Sequence, residues 1–284
     1  MRKYPILAAI LAVGLATAAC DIKTTASGDF SFDIAGGKAE ETWSRSYKMA
    51  PSGRFELINV NGRITAEPTD GTEVVVEGRK SAKGRSDEAA KELLAKLEIR
   101  EEIGDSTIRV ESRPPRLNGF SGHQIEWTVK VPKGVVVDLR TVNGGVRLTD
   151  LANEIHAKTT NGGIKGENLN PSLIEASAVN GGVEINLGVD LEPSDSIELE
   201  TVNGGVTLGI PAGSKATIAA RCVNGGVNVE DLDITKDGDE GSNDYERKRR
   251  LNGTMNGGGA KVNLNTTNGG IHLNGVKGKK TTTN

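Results

Sequence analysis

From Val137 to Leu273, apolar residues fall at alternate positions on both sides of a recurring Asn-Gly turn. Six, four and two residues before the turn asparagine stand Val137, Leu139, Thr141; Ile155, Ala157, Thr159; Ile174, Ala176, Ala178; Ile197, Leu199, Thr201; Ile218, Ala220, Cys222; and Val262, Leu264, Thr266. Three and five residues after it stand Val146, Leu148; Ile164, Gly166; Val183, Ile185; Val206, Leu208; Val227, Val229; and Ile271, Leu273. The residues between are mostly polar. Alternation with period two predicts two half-buried strands per repeat, one on each side of the turn. The hexapeptide Thr-Val-Asn-Gly-Gly-Val occupies 141–146 and returns unchanged at 201–206, and the steps from Asn143 to Asn224 are 18, 19, 23 and 21 residues. A period near 20 is the signature of a repeat architecture. Phe55, Leu57 and Asn59 fill the same slots before Asn61, far upstream.

Asn-Gly between alternating strands is also the strongest two-residue hairpin signal, so a meander of hairpins is a rival to a stacked coil. A meander has no need of identical turns. A coil that stacks on itself benefits from them, because equivalent positions then lie about 4.8 Å apart. The spacing therefore predicts an all-β solenoid, similar to a single-stranded β-helix. Its turn asparagines, Asn61, Asn143, Asn161, Asn180, Asn203, Asn224 and Asn268, form a structural ladder in which each amide donates to the next. The following glycines permit positive φ at a sharp corner. Just before the asparagine stand Val142, Val179, Val202 and Val223. Strand parity points them outward, as an apolar ridge for a partner or for self-association; a bend at the corner would turn them inward.

Upstream, residues 41–132 read as a β-rich capping block with one helix at 86–97. Ser86 is placed as N-cap, Asp87 and Glu88 suit the first turn, and Ala90, Leu93, Leu94 and Leu97 share one face. Residues 133–276 carry the repeats. They are interrupted by a charged, apolar-poor segment, 233–250, expected to be an exposed inserted loop. A polar tail, 277–284, follows.

The repeats, together with the glycine-rich segment Leu251–Ile271 that precedes the last turn, resemble a bacterial family of adhesin-like proteins of unknown function related to the GIN-type adhesin-head domains. The similarity covers roughly Glu41 to Val276. It implies a β-solenoid on the exported side of a bacterial membrane, and it supplies no catalytic residues.

The first residues change the address. Met1-Arg2-Lys3 is followed by uncharged residues from Ile6 to Ala19, too few to span a bilayer and suited to a signal-peptide core. Thr17-Ala18-Ala19-Cys20 resembles a bacterial lipoprotein signal, with residues 1–19 removed, Cys20 lipidated, and 20–40 a flexible tether. Thr17 stands where such signals usually carry leucine, and an ordinary secretory cut after Ala18 or Ala19 is the alternative. Asp21 resembles an inner-membrane retention signal. The expected localisation is the periplasmic face or the cell surface, held to the membrane by lipid.

Removal of Arg2 and Lys3 takes the formal charge from −3 to −5, which argues against a nucleic-acid partner. Only Cys222 remains after Cys20, so no intrachain disulfide framework holds the folded part. Glycine, at 37 of 284 residues, and aromatics, at 3%, suit many thin layers better than one bulky core.

Candidate chemistry is sparse. Asp233, Thr235, Asp237, Gly238 and Asp244 loosely match a calcium loop, but the final acid and third ligand differ, and a solvated loop is the simpler reading. Arg247 to Arg250 would meet anionic lipid were it not beside five acids. His123, His156 and His272 share no motif with other ligands, and Cys222 fits a small core slot. No cofactor, metal site or catalytic constellation is expected. The outward acids Glu175, Glu198 and Glu200 leave open an envelope carbohydrate-active enzyme, with Glu198 and Glu200 as first suspects. A sensor or regulatory lipoprotein docking through 236–250 is the third reading. The leading one is a non-catalytic envelope lipoprotein that binds or scaffolds an unknown envelope protein or glycan.

Overall fold

The computed structural model describes residues 36–115, 122–238, 246 and 248–278. The signal segment, Cys20 and most of the expected tether lie outside the described residues. In chain order the N-terminal part holds β1 (Gly37–Lys48), β2 (Arg54–Asn61), β3 (Ile64–Pro68), β4 (Glu73–Gly84), α1 (Asp87–Ala95), β5 (Glu98–Ile103), β6 (Thr107–Arg113) and β7 (Gly122–Val131). Then come β8 (Val136–Asn143), β9 (Val146–Thr149), β10 (Ile155–Asn161), β11 (Ile164–Leu169), β12 (Leu173–Asn180), β13 (Val183–Leu187), β14 (Ser196–Asn203) and β15 (Val206–Pro211). The chain ends with β16 (Ala216–Asn224), β17 (Val227–Glu230), β18 (Thr235–Lys236), β19 (Arg250–Met255), β20 (Ala260–Asn268) and β21 (Ile271–Val276).

The protein is all-β apart from α1, with two large sheets that do not close into a barrel. One runs β18-β19-β16-β20-β14-β12-β10-β8-β2-β6-β5, the other β1-β4-β7-β3-β9-β11-β13-β15-β21-β17. The two strands flanking each Asn-Gly turn lie in different sheets, so they do not form hairpins. Each pairs in parallel, in register, with the equivalent strand of a neighbouring repeat: Ile155 opposite Ile174, Ala157 opposite Ala176, Asn161 opposite Asn180. The inward slots of both sheets close one hydrophobic cluster that runs from Tyr47 to Leu273. A fully buried Leu, Ile or Val contributes roughly 1.5–3 kcal/mol, and each rung adds four or so such positions to the same column.

β2–β3 is the first of these rungs. It pairs with β8–β9, Asn61 opposite Asn143, and so belongs with the repeats although a long sequence stretch separates them. Beyond it one more parallel layer follows, β6 on β2 and β7 on β3, before the pairing turns antiparallel: β4 with β7, β1 with β4, and β5 with β6. β1 begins at Gly37, inside the segment expected to be tether. The helix is shorter than its apolar pattern implied. It is capped by Ser86, whose hydroxyl accepts from Ala89 N at 3.3 Å, and it buries Ala90, Leu93 and Leu94 against Ala39 and Ala82.

Two sequence expectations fail at the other end. The charged segment 233–250 is not wholly a loop, since Thr235–Lys236 pair with β19 and Arg250 starts β19; residues 239–245 and 247 lie outside the described residues. The rungs also do not stack in chain order. β20 lies between β14 and β16, and β21 between β15 and β17, so the last repeat sits inside the stack rather than at its end.

Candidate functional site: the asparagine corner

Every rung turns from one sheet to the other at its asparagine, so the turns line up as one corner. The slot two before the asparagine is buried, and where it holds threonine the hydroxyl donates to the glycine carbonyl of the preceding rung. Thr159 Oγ1 reaches Gly144 O at 2.7 Å, Thr201 reaches Gly181 O at 2.7 Å, and Thr266 reaches Gly204 O at 2.8 Å. Thr141 reaches Gly62 O at 3.3 Å. Asn59 fills the slot in the first rung and bonds Gly62 O and Ile125 O.

The turn asparagines are hydrogen-bonded along the corner. Asn143 Nδ2 donates to Asn61 Oδ1, Asn161 to Asn143, Asn180 to Asn161, and Asn203 to Asn180, all at 2.8–2.9 Å. Asn268 then donates to Asn203, and Asn224 to Asn268, at 2.8 Å each. Asn268 therefore stands where chain order would have placed Asn224. At the far end Asn61 Nδ2 donates to His123 Nε2 at 2.9 Å, which leaves the other ring nitrogen, Nδ1, to carry the proton. Burial lowers the pKa of this imidazole.

The glycine after each asparagine has a second reason beside the expected freedom of φ, which is positive at Gly62, Gly162, Gly181 and Gly225. A Cβ built at Gly144 would overlap the Gly62 carbonyl, one at Gly162 the Gly144 carbonyl, and one at Gly181 the Gly162 carbonyl. Stacked backbones approach too closely at the corner for any side chain. The second glycine is under less pressure, with Cβ-to-carbonyl distances of 3.0 Å at Gly145 and 3.1 Å at Gly163, a close contact rather than an overlap.

Val142, Val179, Val202 and Val223 flank this ladder and are 41–46% exposed; among the described residues the other large apolar side chains, except Ile103, are buried or half-buried. Thr160 and Thr267 continue the row. Beside it a shallow groove of about 340 Å³ runs past Val179, Val202 and Val223 to Glu200, Asn265 and Arg221. On the opposite flank the glycine strip floors a groove of about 420 Å³ walled by Arg63, Arg147, Lys165 and Glu184. Lys165 bridges Glu167 at 3.1 Å and Glu184 at 3.2 Å.

The remaining candidates are dispersed. Glu198 and Glu200 stand outward two apart on β14, and Asn265 Nδ2 donates to Glu200 at 3.5 Å. Glu175 Oε2 lies 2.8 Å from His156 Nδ1, and Glu154 Oε1 lies 2.9 Å from Nε2 of the same ring. His156 thus joins two rungs through carboxylates. Asp138, missed by parity because its slot faces outward, is only 4% exposed. Arg140 covers it with two bonds, 2.8 and 2.6 Å, and Arg54 approaches from the preceding rung. A charge buried under two guanidinium groups remains paired. Cys222 occupies a threonine slot, and burial pushes its thiol up. Of the calcium-loop residues, Thr235 is in β18, Asp237 N donates to Asn252 O, and Asp244 lies outside the described residues. Among the described residues no cluster of three or more His, Cys, Asp or Glu groups is arranged to hold a metal ion. Among them, too, no helix is long and apolar enough to cross a membrane.

No family model and no curated protein matches the chain. Solved structures similar to it include a "putative cell adhesion protein" of Clostridium sporogenes, with TM-score 0.48 and 14% identity over 84% of this chain and 100% of that one. A "putative adhesin" of Bacteroides fragilis gives TM-score 0.39 and 10% identity over 83% and 97%. A "putative lipid binding protein" of Parabacteroides distasonis gives 0.29 and 8% over 83% and 97%.

Proposed function

We propose that this chain is a non-catalytic binding or scaffolding module of the cell envelope, an adhesin-like β-solenoid lipidated at Cys20 and carried on a short tether. The observation that carries the reading is the valine row. Four β-branched apolar side chains stay in water at one corner of a stack whose backbone is fixed by parallel pairing on both sides. Exposed apolar stripes on a rigid support favour contact with a partner, and the charged residues beside the groove supply a polar rim.

The test compares wild type with a chain in which Val142, Val179, Val202 and Val223 are all changed to Thr. The change keeps side-chain shape and removes apolar contact. Each protein is immobilised and exposed to envelope protein and glycan fractions. A ligand retained by the wild type should bind the variant at least ~10-fold more weakly, a loss of about 1.4 kcal/mol. Equal retention by both would move the binding surface away from the corner. Membrane anchoring is read separately: Cys20→Ser should release the protein from the membrane fraction.

A further inference from the structure

The last rung lies in a slot whose two walls both come earlier in the chain. β14–β15 and β16–β17 form its two walls, and both precede β20–β21 in the chain. β20 pairs in parallel with β14 on one side and with β16 on the other, placing Asn203, Asn268 and Asn224 in line. β21 does the same between β15 and β17. Residues 212–215, which join β15 to β16, therefore cross two strand spacings, roughly 9–10 Å, rather than one of about 4.8 Å.

β19 and β20 grip β16 from opposite edges. β19 lies antiparallel on its outer side, with Met255 opposite Ala216. β20 lies parallel on its inner side, with Ala260 also opposite Ala216. The turn between them passes over the start of β16. Asn256 Nδ2 donates to Ala212 O at 2.9 Å and to Ser214 O at 2.8 Å, and Ala260 N donates to Lys215 O at 2.9 Å. Asn256, Gly257 and Gly258 take φ of 49°, 86° and 84°, a left-handed run that glycine and asparagine tolerate. This is the work of the glycine-rich segment singled out in the sequence: it lets the chain double back around a strand already in place.

Residues 248–276 thus form a clip seated in and around the slot, and 237–247 join it to the preceding chain. Leaving the slot does not expose the whole core. β16 can close on β14 in the register it now keeps with β20, offering Ile218, Ala220, Cys222 and Asn224 where Val262, Leu264, Thr266 and Asn268 now stand. The slot also recognises nothing except the repeat pattern, which every copy of the chain carries.

We infer that the clip is exchangeable, and that the chain self-associates by seating residues 248–276 of one copy in the slot of a second. Exchange of an identical element reproduces every contact of the monomer, so its equilibrium is set by concentration rather than by a new interface. The inference does not depend on the valine corner binding anything.

Glu198 and Asn263 are exposed neighbours across the slot wall. In a full chain carrying Cys20→Ser and Cys222→Thr, one preparation receives Glu198→Cys and another Asn263→Cys. The two are mixed, warmed below the global unfolding temperature, and treated with a short bis-maleimide, which tolerates parallel-strand geometry better than a direct disulfide. Exchange predicts a covalent heterodimer whose yield rises with concentration and is several-fold above that from Glu175→Cys mixed with Asn263→Cys, where the thiols sit two strands apart. A Glu198→Cys/Asn263→Cys chain crosslinked within itself verifies the fold; because it has no thiol left, its association is read by size-exclusion chromatography, where it should stay monomeric at concentrations at which the uncrosslinked chain dimerises. Heterodimer no greater than in the Glu175 control, or a dimer fraction unchanged by the internal lock, overturns the proposal.

Discussion

At the residue scale the corner is a set of equivalent sites filled with small variations, and the variations are informative. Threonine two before the asparagine satisfies a glycine carbonyl of the preceding rung; Ala178 and Cys222 leave that carbonyl without the hydroxyl. The same slot holds threonine in four other rungs. Ala178→Thr should therefore place a hydroxyl on Gly162 O and raise stability by about 0.5–1.5 kcal/mol, the net worth of a hydrogen bond. Chemical denaturation would show a higher midpoint with an unchanged slope; a lower midpoint would mean that the rung cannot admit the methyl group. These sites were legible in the sequence, since alternation and the fixed turn separate inward from outward positions. Asp138 was not. Its parity is outward, and only Arg140 and Arg54 folding over it remove it from water.

At the scale of the element, each turn is defined by its neighbour more than by itself. An isolated Asn-Gly turn would ask for glycine because of φ. Here the carbonyl of the preceding rung fills the place of a Cβ. Gly144→Ala, where φ lies outside the left-handed region and a built Cβ overlaps the Gly62 carbonyl, should cost more than about 3 kcal/mol through displaced backbone, above the usual range for a single substitution. Gly134→Ala, where φ is 82° and nothing lies within 4 Å, should cost only about 1 kcal/mol, the left-handed penalty alone. Thermal midpoints of the two variants make the comparison; equal losses would return the explanation to local conformation. The strand pairs around the turns were readable from period two. β19 was not set apart as a strand, although Leu251, Gly253 and Met255 alternate inward. Its glycine and its charged approach hid a pattern carried by only two bulky residues.

At the scale of the molecule, the stack has to end somewhere, and its ends are held by chemistry the repeats lack. Toward the N-terminus Tyr47 Oη donates to Glu101 at 2.7 Å, linking edge strand β1 of one sheet to β5 of the other, while Trp43 packs edge-on against Trp127. The asparagine ladder ends on His123. Burial depresses its pKa in the folded state relative to the unfolded one, so its contribution to stability is fully present above about 6.5 and is lost as pH falls toward the folded value. Wild type should lose stability between pH 7.5 and 5 more steeply than His123→Gln, as read by denaturant midpoints at each pH; parallel curves would show that the ladder's end does not titrate with folding. The sequence by itself determined the all-β class, the rung length, the inward and outward faces and the capped helix, because each follows from local periodicity and from side chains within a few residues. Only the tertiary structure decided that β6–β7 extends the parallel stack beyond β2–β3, that Asp138 is buried, and that the last rung lies between two earlier ones. Every rung presents the same slots to its neighbours, so periodicity cannot say which rung lies beside which. That choice rests on the turn Asn256–Gly259 wrapping the start of β16, a contact between segments far apart in the chain.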